Sequence, residues 1–98
     1  MNFSFHPDAE AEFLEAIDYF EEVEGGLGLQ FSREVFSTVD RIIEYPSGWS
    51  PFTSQTRRCL CKRFRYGIIY KVTNDELRVF AVMHLSREPD YWHSRLSN

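Results

Sequence analysis

Five cations fall within nine residues in the middle of the chain: Arg57, Arg58, Lys62, Arg63 and Arg65. The planar guanidinium of arginine binds phosphate or carboxylate through two parallel hydrogen bonds, so this basic segment suits an anionic target. A charged strand that protects a sheet edge, or one that pairs with acidic helices, would carry the same residues. We take Arg58, Lys62, Arg63 and Arg65 as candidate binding residues and keep both structural explanations open.

A second cluster combines cations with aromatic rings near the C-terminus: His84, Arg87, Tyr91, Trp92, His93 and Arg95. A histidine beside a phosphate-binding arginine can act as a general acid, and aromatic rings can stack on bases. If the protein is a nuclease, His84, Arg87 and Tyr91 are the candidate catalytic residues, and Arg95 is a further binding residue. A structural hydrogen bond is the more common role for a lone histidine such as His84, and packing is the more common role for Trp92.

The two cysteines, Cys59 and Cys61, are two residues apart. On a strand their side chains share one face, and their Cα atoms lie about 6.6 Å apart, at the edge of disulfide geometry. We therefore expect reduced, structural thiols. A zinc site would need two more ligands, and only His84 and His93 stand as candidates, so we expect neither a metal nor a cofactor.

One small globular domain, residues 1–98, must hold these clusters in place. Hydrophobic residues make up 43% of the chain and aromatic residues 16%, which supplies a core and excludes a disordered chain. The sequence has no run of about 18 apolar residues that could span a membrane. Its N-terminus lacks the features of a signal peptide, so we expect a cytoplasmic protein.

The net charge of −4 hides a division between the two halves. Residues 1–56 contain two basic and eleven acidic residues, whereas residues 57–98 contain nine basic and four acidic residues. Such an asymmetry predicts a cationic surface for an anionic partner. Attraction between the two halves within one fold is the alternative.

Two amphipathic helices are predicted in the acidic half. An apolar stripe at helical spacing predicts a first helix over residues 7–24, and Pro7 suits its first turn. Gly25 and Gly26 end this helix, and a second stripe predicts another helix that Pro46 stops. The two helices should form an antiparallel hairpin. The acidic residues of the first helix lie mostly away from its apolar stripe, so we expect them to face solvent.

The rest of the pattern predicts strands. The segment at 77–83 is apolar on both faces, which favours a central strand. The order is β-α-α-β-β-β, an α+β fold in which the helix hairpin covers one face of an antiparallel sheet. The predicted segments are strands at residues 2–6, 57–63, 66–72 and 77–83, a loop at 46–56, a hairpin turn at 73–76 and a C-terminal helical tail at 90–96.

The segment RRCLCKRFRYGIIYKVTNDELRVFAVMHLSREPDYWHSR resembles the C-terminal half of the RelE/ParE toxins. These are the toxins of type II toxin–antitoxin pairs, also called plasmid stabilisation proteins. The marks are the basic strand leading to RFRYGIIY, then VFAVMH, then Arg87, Pro89, Tyr91-Trp92 and Arg95. The N-terminal HPDAEAEFLEAIDYF and GLGLQF are similar to the helix-hairpin opening of the family. The resemblance covers nearly the whole chain and implies the same β-α-α-β-β-β fold.

The resemblance implies one of two activities, because RelE-like members cut mRNA on the ribosome and ParE-like members poison DNA gyrase. The nucleases carry an arginine after the tyrosine of the third-strand motif and another just past the last strand, where this chain has Gly67 and Leu85. Losing an arginine from the transition state can cost ~100-fold or more. Tyr91 matches a tyrosine of the nucleases, and Arg58 falls near a lysine. Whether Arg87 replaces a missing arginine stays open.

These departures favour a ParE-like toxin that inhibits DNA gyrase and is neutralised by a cognate antitoxin. The alternatives are a ribosome-dependent mRNA endoribonuclease, whose partners would be the translating ribosome and mRNA, and a non-toxic remnant that only binds its antitoxin. The family implies an amphipathic antitoxin segment laid over the toxin. Candidates for that contact are Phe36, Trp49, Phe52 and Trp92, with ordinary core packing as the alternative and the preferred reading for Phe36.

Overall fold

The computed structural model describes residues 1–97 and has two helices packed on a five-stranded sheet. Both helices end within one or two residues of the predicted positions, whereas the second predicted strand, at residues 57–63, is shorter than expected and ends at Leu60. None of the helices within residues 1–97 is both long and apolar enough to span a membrane. The elements are β1 (Asn2–Phe5), α1 (Pro7–Val23), α2 (Leu27–Glu44), β2 (Ser50–Pro51), β3 (Arg57–Leu60), β4 (Tyr66–Thr73), β5 (Glu76–His84) and a 3₁₀ helix (His93–Ser97).

The helix hairpin is closed by a side chain of α1. The carboxylate of Glu21 accepts hydrogen bonds from the amides of Gly26 and Gly28, each at 3.1 Å from Oε1. Gly28 allows the close approach of the helices, because a Cβ there would lie 2.7 Å from the carbonyl oxygen of Ile17. Gly26 adopts a left-handed conformation with φ of 90°, which glycine does at little cost. The glycines therefore set both the turn and the spacing of the hairpin.

The sheet has the order β1-β5-β4-β3-β2, so the apolar strand β5 lies between two partners as expected. The prediction of an antiparallel sheet was wrong for one pair, because β1 runs parallel to β5. These two strands are far apart in the chain, so no tight turn forces them to be antiparallel. A further strand, β2, lies in the segment predicted as a loop, where Ser50 and Pro51 pair with β3.

The sheet buries a different apolar cluster on each face. The helix face includes Ile68, Tyr70, Leu77, Val79 and Val82, which pack against α1 and α2. The outer face carries a cluster of Ile69, Phe80, Ala81, Met83 and Trp92. A β-bulge makes this possible: Tyr70 pairs with Val79 and Ile69 with Ala81, so Phe80 is an extra residue on β5 and shares the outer face with Ala81.

The C-terminal tail covers the outer face, an arrangement that the sequence did not predict. Trp92 is fully buried there, and its Nε1 donates a hydrogen bond to the carbonyl of Pro89 at 2.8 Å. Phe52 stacks on Trp92 with 6.1 Å between ring centroids. The chain is therefore a three-layer structure of helix hairpin, sheet and tail.

Candidate target-binding site

Three of the predicted site residues meet at one end of the sheet. His84 ends β5 and pairs with Tyr66, which begins β4, so both side chains extend from the helix face. The amide of Leu85 donates to the carbonyl of Arg65 at 2.9 Å, which joins the β3–β4 turn to the chain leaving β5. Arg65, His84 and Arg87 consequently line one cavity of about 590 Å³. We call this cavity the basin; its other lining residues are Tyr19, Phe20, Phe64, Tyr66 and Ser86.

A strained turn holds Arg65 at the basin. Phe64 and Arg65 have φ values of 75° and 51°, in the left-handed region that bulky residues seldom adopt. Such a conformation costs on the order of 1–3 kcal/mol and persists only where packing maintains it. The ring of Phe64 supplies that packing, with centroids 5.0 Å from Phe20 and 5.3 Å from Phe31.

His84 is held in one tautomer. Its Nδ1 accepts a hydrogen bond from the amide of Ser86 at 3.1 Å and lies 2.7 Å from the Ser86 hydroxyl oxygen. An amide can only donate, so Nδ1 is the acceptor and Nε2 carries the proton. The ring is perpendicular to that of Tyr66, 5.1 Å away between centroids. In this state His84 can donate a hydrogen bond through Nε2, and its Nδ1 is already engaged.

Tyr91 and Arg95 are bound instead to Glu12 of α1. The Tyr91 hydroxyl donates to Glu12 Oε2 at 2.5 Å, and Arg95 Nη1 donates to Oε1 at 2.8 Å. The amide of Val82 also donates to Oε1, at 3.2 Å. Burial and the hydrogen bond to Glu12 raise the pKa of Tyr91 far above its usual range. We call Glu12, Tyr91 and Arg95 the tail clasp.

The tail clasp corrects one expectation from the sequence and bears on a second. The acidic face of α1 was expected to be solvated, but Glu12 is largely buried and bonds the tail. Tyr91 and Arg95 are candidates for catalysis or for binding a target. In this structure, however, the hydroxyl of Tyr91 and the guanidinium of Arg95 are hydrogen-bonded to Glu12. The signal that points to Glu12 is its place beside the buried stripe of α1, one turn before Ala16 and one residue before Phe13.

The residues of the basic segment do not share one surface. Arg58 extends from the outer face, with its guanidinium 4.7 Å from the ring centroid of Phe52. Lys62 and Arg63 lie beside α2: the Lys62 amide donates to Glu34 at 2.6 Å, and Arg63 donates to Gln30 at 3.3 Å. Of the predicted cations, only Arg65 and Arg87 share the basin, because side chains alternate between the faces of a strand.

Gly67 likewise lies away from the basin. It pairs with Met83, and a Cβ added there would lie 3.3 Å from Cγ and Cδ of Arg58 on the outer face. Trp92 fills that face against Met83. A side chain at position 67 would therefore lie beside Arg58 and Leu60, on the opposite side of the sheet from His84.

Most cations of the basic half have no acidic partner. Among residues 1–97 the ion pairs within 4.0 Å are Arg41–Glu34 inside α2 and those of Arg95 with Asp8 and Glu12. Within the described residues of the basic half, Arg95 is thus the one cation that forms an ion pair with the acidic half. The guanidinium of Arg87 instead lies 3.8 Å from the ring centroid of Tyr91, and Arg65 is exposed.

The aromatic candidates for antitoxin contact differ in exposure. Trp92 is fully buried, so its prediction as a contact residue was wrong. Phe36, for which core packing was preferred, is 43% exposed beside Phe3. Trp49 and Phe52 are partly buried. Sequence reasoning also missed Tyr19, which is 61% exposed at the rim of the basin.

Comparison with known proteins agrees with this fold. The structure is similar to a solved structure described as the chromosomal ParDE TA system from P. aeruginosa, with a TM-score of 0.76 and 13% sequence identity. The match covers 88% of this chain and 97% of the other. A search of curated proteins found no match. The sequence itself matches the family described as "ParE toxin of type II toxin-antitoxin system, parDE" over residues 3–89. The chain therefore belongs to the ParE toxin family of type II toxin–antitoxin systems.

Proposed function

We propose that this protein inhibits DNA gyrase and that a cognate antitoxin neutralises it, with both encounters in the cytoplasm. Family membership supports a toxin, and one observation favours gyrase over mRNA as the target. Gly67 lies on the outer face of the sheet, opposite His84, so the nuclease arginine that is absent at this position would not extend into the basin. A toxin that binds a protein enzyme does not need a cation there.

The tail clasp gives the same indication. Hydrolytic or transesterification chemistry on RNA needs a proton donor, a proton acceptor and cations around the reacting phosphate. Tyr91 donates its only proton to Glu12, and two nitrogens of Arg95 bond the same carboxylate. Neither group can therefore protonate or bind a phosphate unless the tail detaches from α1.

A ribosome-dependent mRNA endoribonuclease is the second candidate, supported by the basin. Arg65 and Arg87 supply positive charge there, and His84 presents a proton on Nε2. Such a nuclease would lose activity in His84→Ala or Arg87→Ala while still binding ribosomes. The carboxylate of Glu15, which lines the adjoining recess, works against the approach of a phosphate chain.

Induced expression in a sensitive host distinguishes the two. DNA synthesis and protein synthesis are followed separately, by incorporation of labelled thymidine and labelled methionine. Gyrase inhibition predicts that DNA synthesis stops first and that DNA damage responses are induced while message stays intact. An early stop of translation, with message cut within codons, would replace this proposal with the nuclease. Normal growth after induction would refute both and favour a non-toxic chain that binds its antitoxin.

A further inference from the structure

We propose that the basin binds a carboxylate side chain, together with an adjacent apolar side chain, from a segment of the antitoxin. The inference rests on the proposed antitoxin partner and deepens it by assigning the surface and the chemistry of the contact. Four features of the basin lead to it: its free donors, its aromatic floor, its acidic flank and the apolar residues at its rim.

The polar groups around the basin are hydrogen-bond donors. Arg65 and Arg87 are exposed, and no carboxylate of residues 1–97 pairs with either. His84 offers Nε2–H because its Nδ1 accepts from Ser86. Burial, with the nearby Tyr19 and Glu12, raises the pKa of Tyr66, so its hydroxyl stays protonated and can donate at neutral pH. A carboxylate accepts several hydrogen bonds at once and so matches this set.

One of these donors, Arg87, is already held in position, and the backbone that carries Arg65 is fixed. The strained backbone at Phe64 and Arg65 is fixed by the packing of Phe64, which limits where the Arg65 side chain can extend. The guanidinium of Arg87 stacks on Tyr91, whose own hydroxyl is bonded to Glu12. Groups that are ordered before binding lose less conformational entropy when the ligand arrives.

The floor of the basin is aromatic. Phe20 contacts both Phe64 and Tyr66 edge to face, with ring centroids 5.0 Å apart for Phe20–Phe64 and 6.1 Å apart for Phe20–Tyr66. The volume of about 590 Å³ lies within the range of small ligand sites and accommodates more than a lone carboxylate. An apolar side chain beside the acidic one would cover these rings.

The flank of the basin favours a protein segment over a nucleic acid. Arginines beside aromatic rings can also bind single-stranded nucleic acid, but such binding follows a continuous cationic track. Here α1 forms one wall and contributes Glu12 and Glu15 to the adjoining recess of about 280 Å³. A phosphate chain leaving the basin would meet the exposed carboxylate of Glu15, whereas the charge of Glu12 is compensated by Arg95. A segment with one acidic residue among apolar ones would not be repelled to the same extent.

The rim of the basin suits an amphipathic segment. Tyr19 lines the basin, and Val23 follows it one turn later on α1; the two are 61% and 60% exposed. Apolar side chains at this spacing can receive the apolar face of a helix laid across them. The basin would then receive the acidic residue, and the free charges of Arg65 and Arg87 would be neutralised in the complex.

Peptide titration tests the proposal. The probe is acetyl-Leu-Asp-Phe-amide, and the matched control probe is acetyl-Leu-Asn-Phe-amide, both added to the full chain. Binding is followed by NMR of the arginine Nε–Hε groups and the aromatic rings. We expect shifts at Arg65, Arg87 and Tyr66 with millimolar affinity. Affinity should be about tenfold weaker for the asparagine peptide, because a charge-assisted contact is lost.

Substitutions identify the site. Arg65→Gln and Arg87→Gln should each weaken binding of the aspartate peptide several-fold, whereas Arg33→Gln, at an exposed position on α2, should leave it unchanged. Equal binding of the two peptides, or equal loss in Arg33→Gln, would overturn the proposal. So would an oligothymidylate of eight nucleotides that binds the basin more tightly than the aspartate peptide does.

Gyrase inhibition by the same variants separates this inference from the proposed function. If the peptide does not bind but the protein still inhibits supercoiling, the proposed basin contact is refuted and gyrase inhibition stands. If the peptide binds but the protein has no effect on gyrase, the basin contact stands and gyrase is refuted as the target.

Discussion

Glu12 of α1 and Arg95 of the C-terminal tail form an ion pair 83 residues apart in sequence, with Arg95 Nη1 2.8 Å from Glu12 Oε1. Beyond the end of β1, the adjacent edge of β5 lacks a strand partner. The pair occupies this edge: Glu12 accepts from the amide of Val82, and Arg95 donates to the carbonyl of Phe80. This ion pair thus provides hydrogen-bond partners for backbone groups at the edge of β5, joins α1 to the tail and fixes the position of Tyr91.

Glu12→Gln should destabilise the fold, because Arg95 would keep its charge in a largely buried place without a carboxylate. Breaking one side of a buried pair costs several kcal/mol, and partial exposure here reduces the expected loss to about 2–4 kcal/mol. Urea denaturation measures it. Glu10→Gln, at an exposed position two residues from both Asp8 and Glu12 on the same helix, is the control and should change stability little. Equal stability of the two variants would contradict the role given to the clasp.

Trp92→Ala should remove the tail from the outer face. A fully buried tryptophan truncated to alanine costs about 3–5 kcal/mol, a large part of the stability of a domain of this size. Thermal unfolding and amide hydrogen exchange across β4 and β5 report the change. Ser94→Ala, in the same tail but exposed, is the matched control. A tail that merely rests on the sheet would give similar exchange in both variants.

Gly28→Ala should destabilise the helix hairpin, because the new Cβ would lie 2.7 Å from the Ile17 carbonyl oxygen. Overpacking of this kind costs about 1–3 kcal/mol, partly offset by the better helix propensity of alanine. Gly25→Ala provides the comparison, since the nearest atom to its Cβ is 4.0 Å away. Chemical denaturation should give a clear loss for the first variant and a change within about 0.5 kcal/mol for the second.

Cys61 should be a slow nucleophile at neutral pH. Burial raises its pKa to about 11, above the usual thiol value, so the reactive thiolate is scarce in the folded protein. The folded state binds this proton more tightly than the unfolded state does. The resulting stabilisation is fully present below the unfolded pKa and is lost as the pH rises from about 9 to 11.

Alkylation by iodoacetamide tests this in a Cys59→Ala background, where Cys61 is the remaining thiol. Its rate should keep rising with pH beyond 10 in the native protein, but level off near 9 in urea. Equal pH profiles for the native and unfolded chains would show that the environment of Cys61 does not favour the protonated thiol.

The helix hairpin was predictable because its signals are local. Apolar periodicity, Pro7 and the paired glycines act within a few residues of where they stand, and α1 ends within one residue of its predicted end. The hairpin turn before β5 is equally local: Asn74 and Asp75 adopt the positive φ values that such a turn requires. Each of these features depends on the backbone preferences of the residues that form it.

The features of the fold and site that the sequence did not predict depend on contacts between residues that are distant in the chain. No local pattern marks β2, whose two residues are a strand only because β3 lies beside them. The bulge at Phe80 changes which face the following residues occupy, and strand periodicity alone does not reveal it. The basic segment looked continuous in sequence, yet strand alternation and the turn at Phe64 send Arg58, Arg63 and Arg65 to three different surroundings. Of the proposed site residues, Arg65 and His84 are brought together by the pairing of β4 with β5, whereas Arg87, Tyr91 and Arg95 are neighbours through the path of the tail.

The most direct test of the central claim uses purified DNA gyrase, relaxed plasmid and ATP, with this protein added in increasing amounts. Inhibition of gyrase predicts loss of supercoiling and, after detergent and protease treatment, accumulation of linear plasmid that depends on gyrase. A parallel translation reaction programmed with defined mRNA should proceed with intact message. Unchanged supercoiling together with cleavage of the ribosome-bound message would contradict the account.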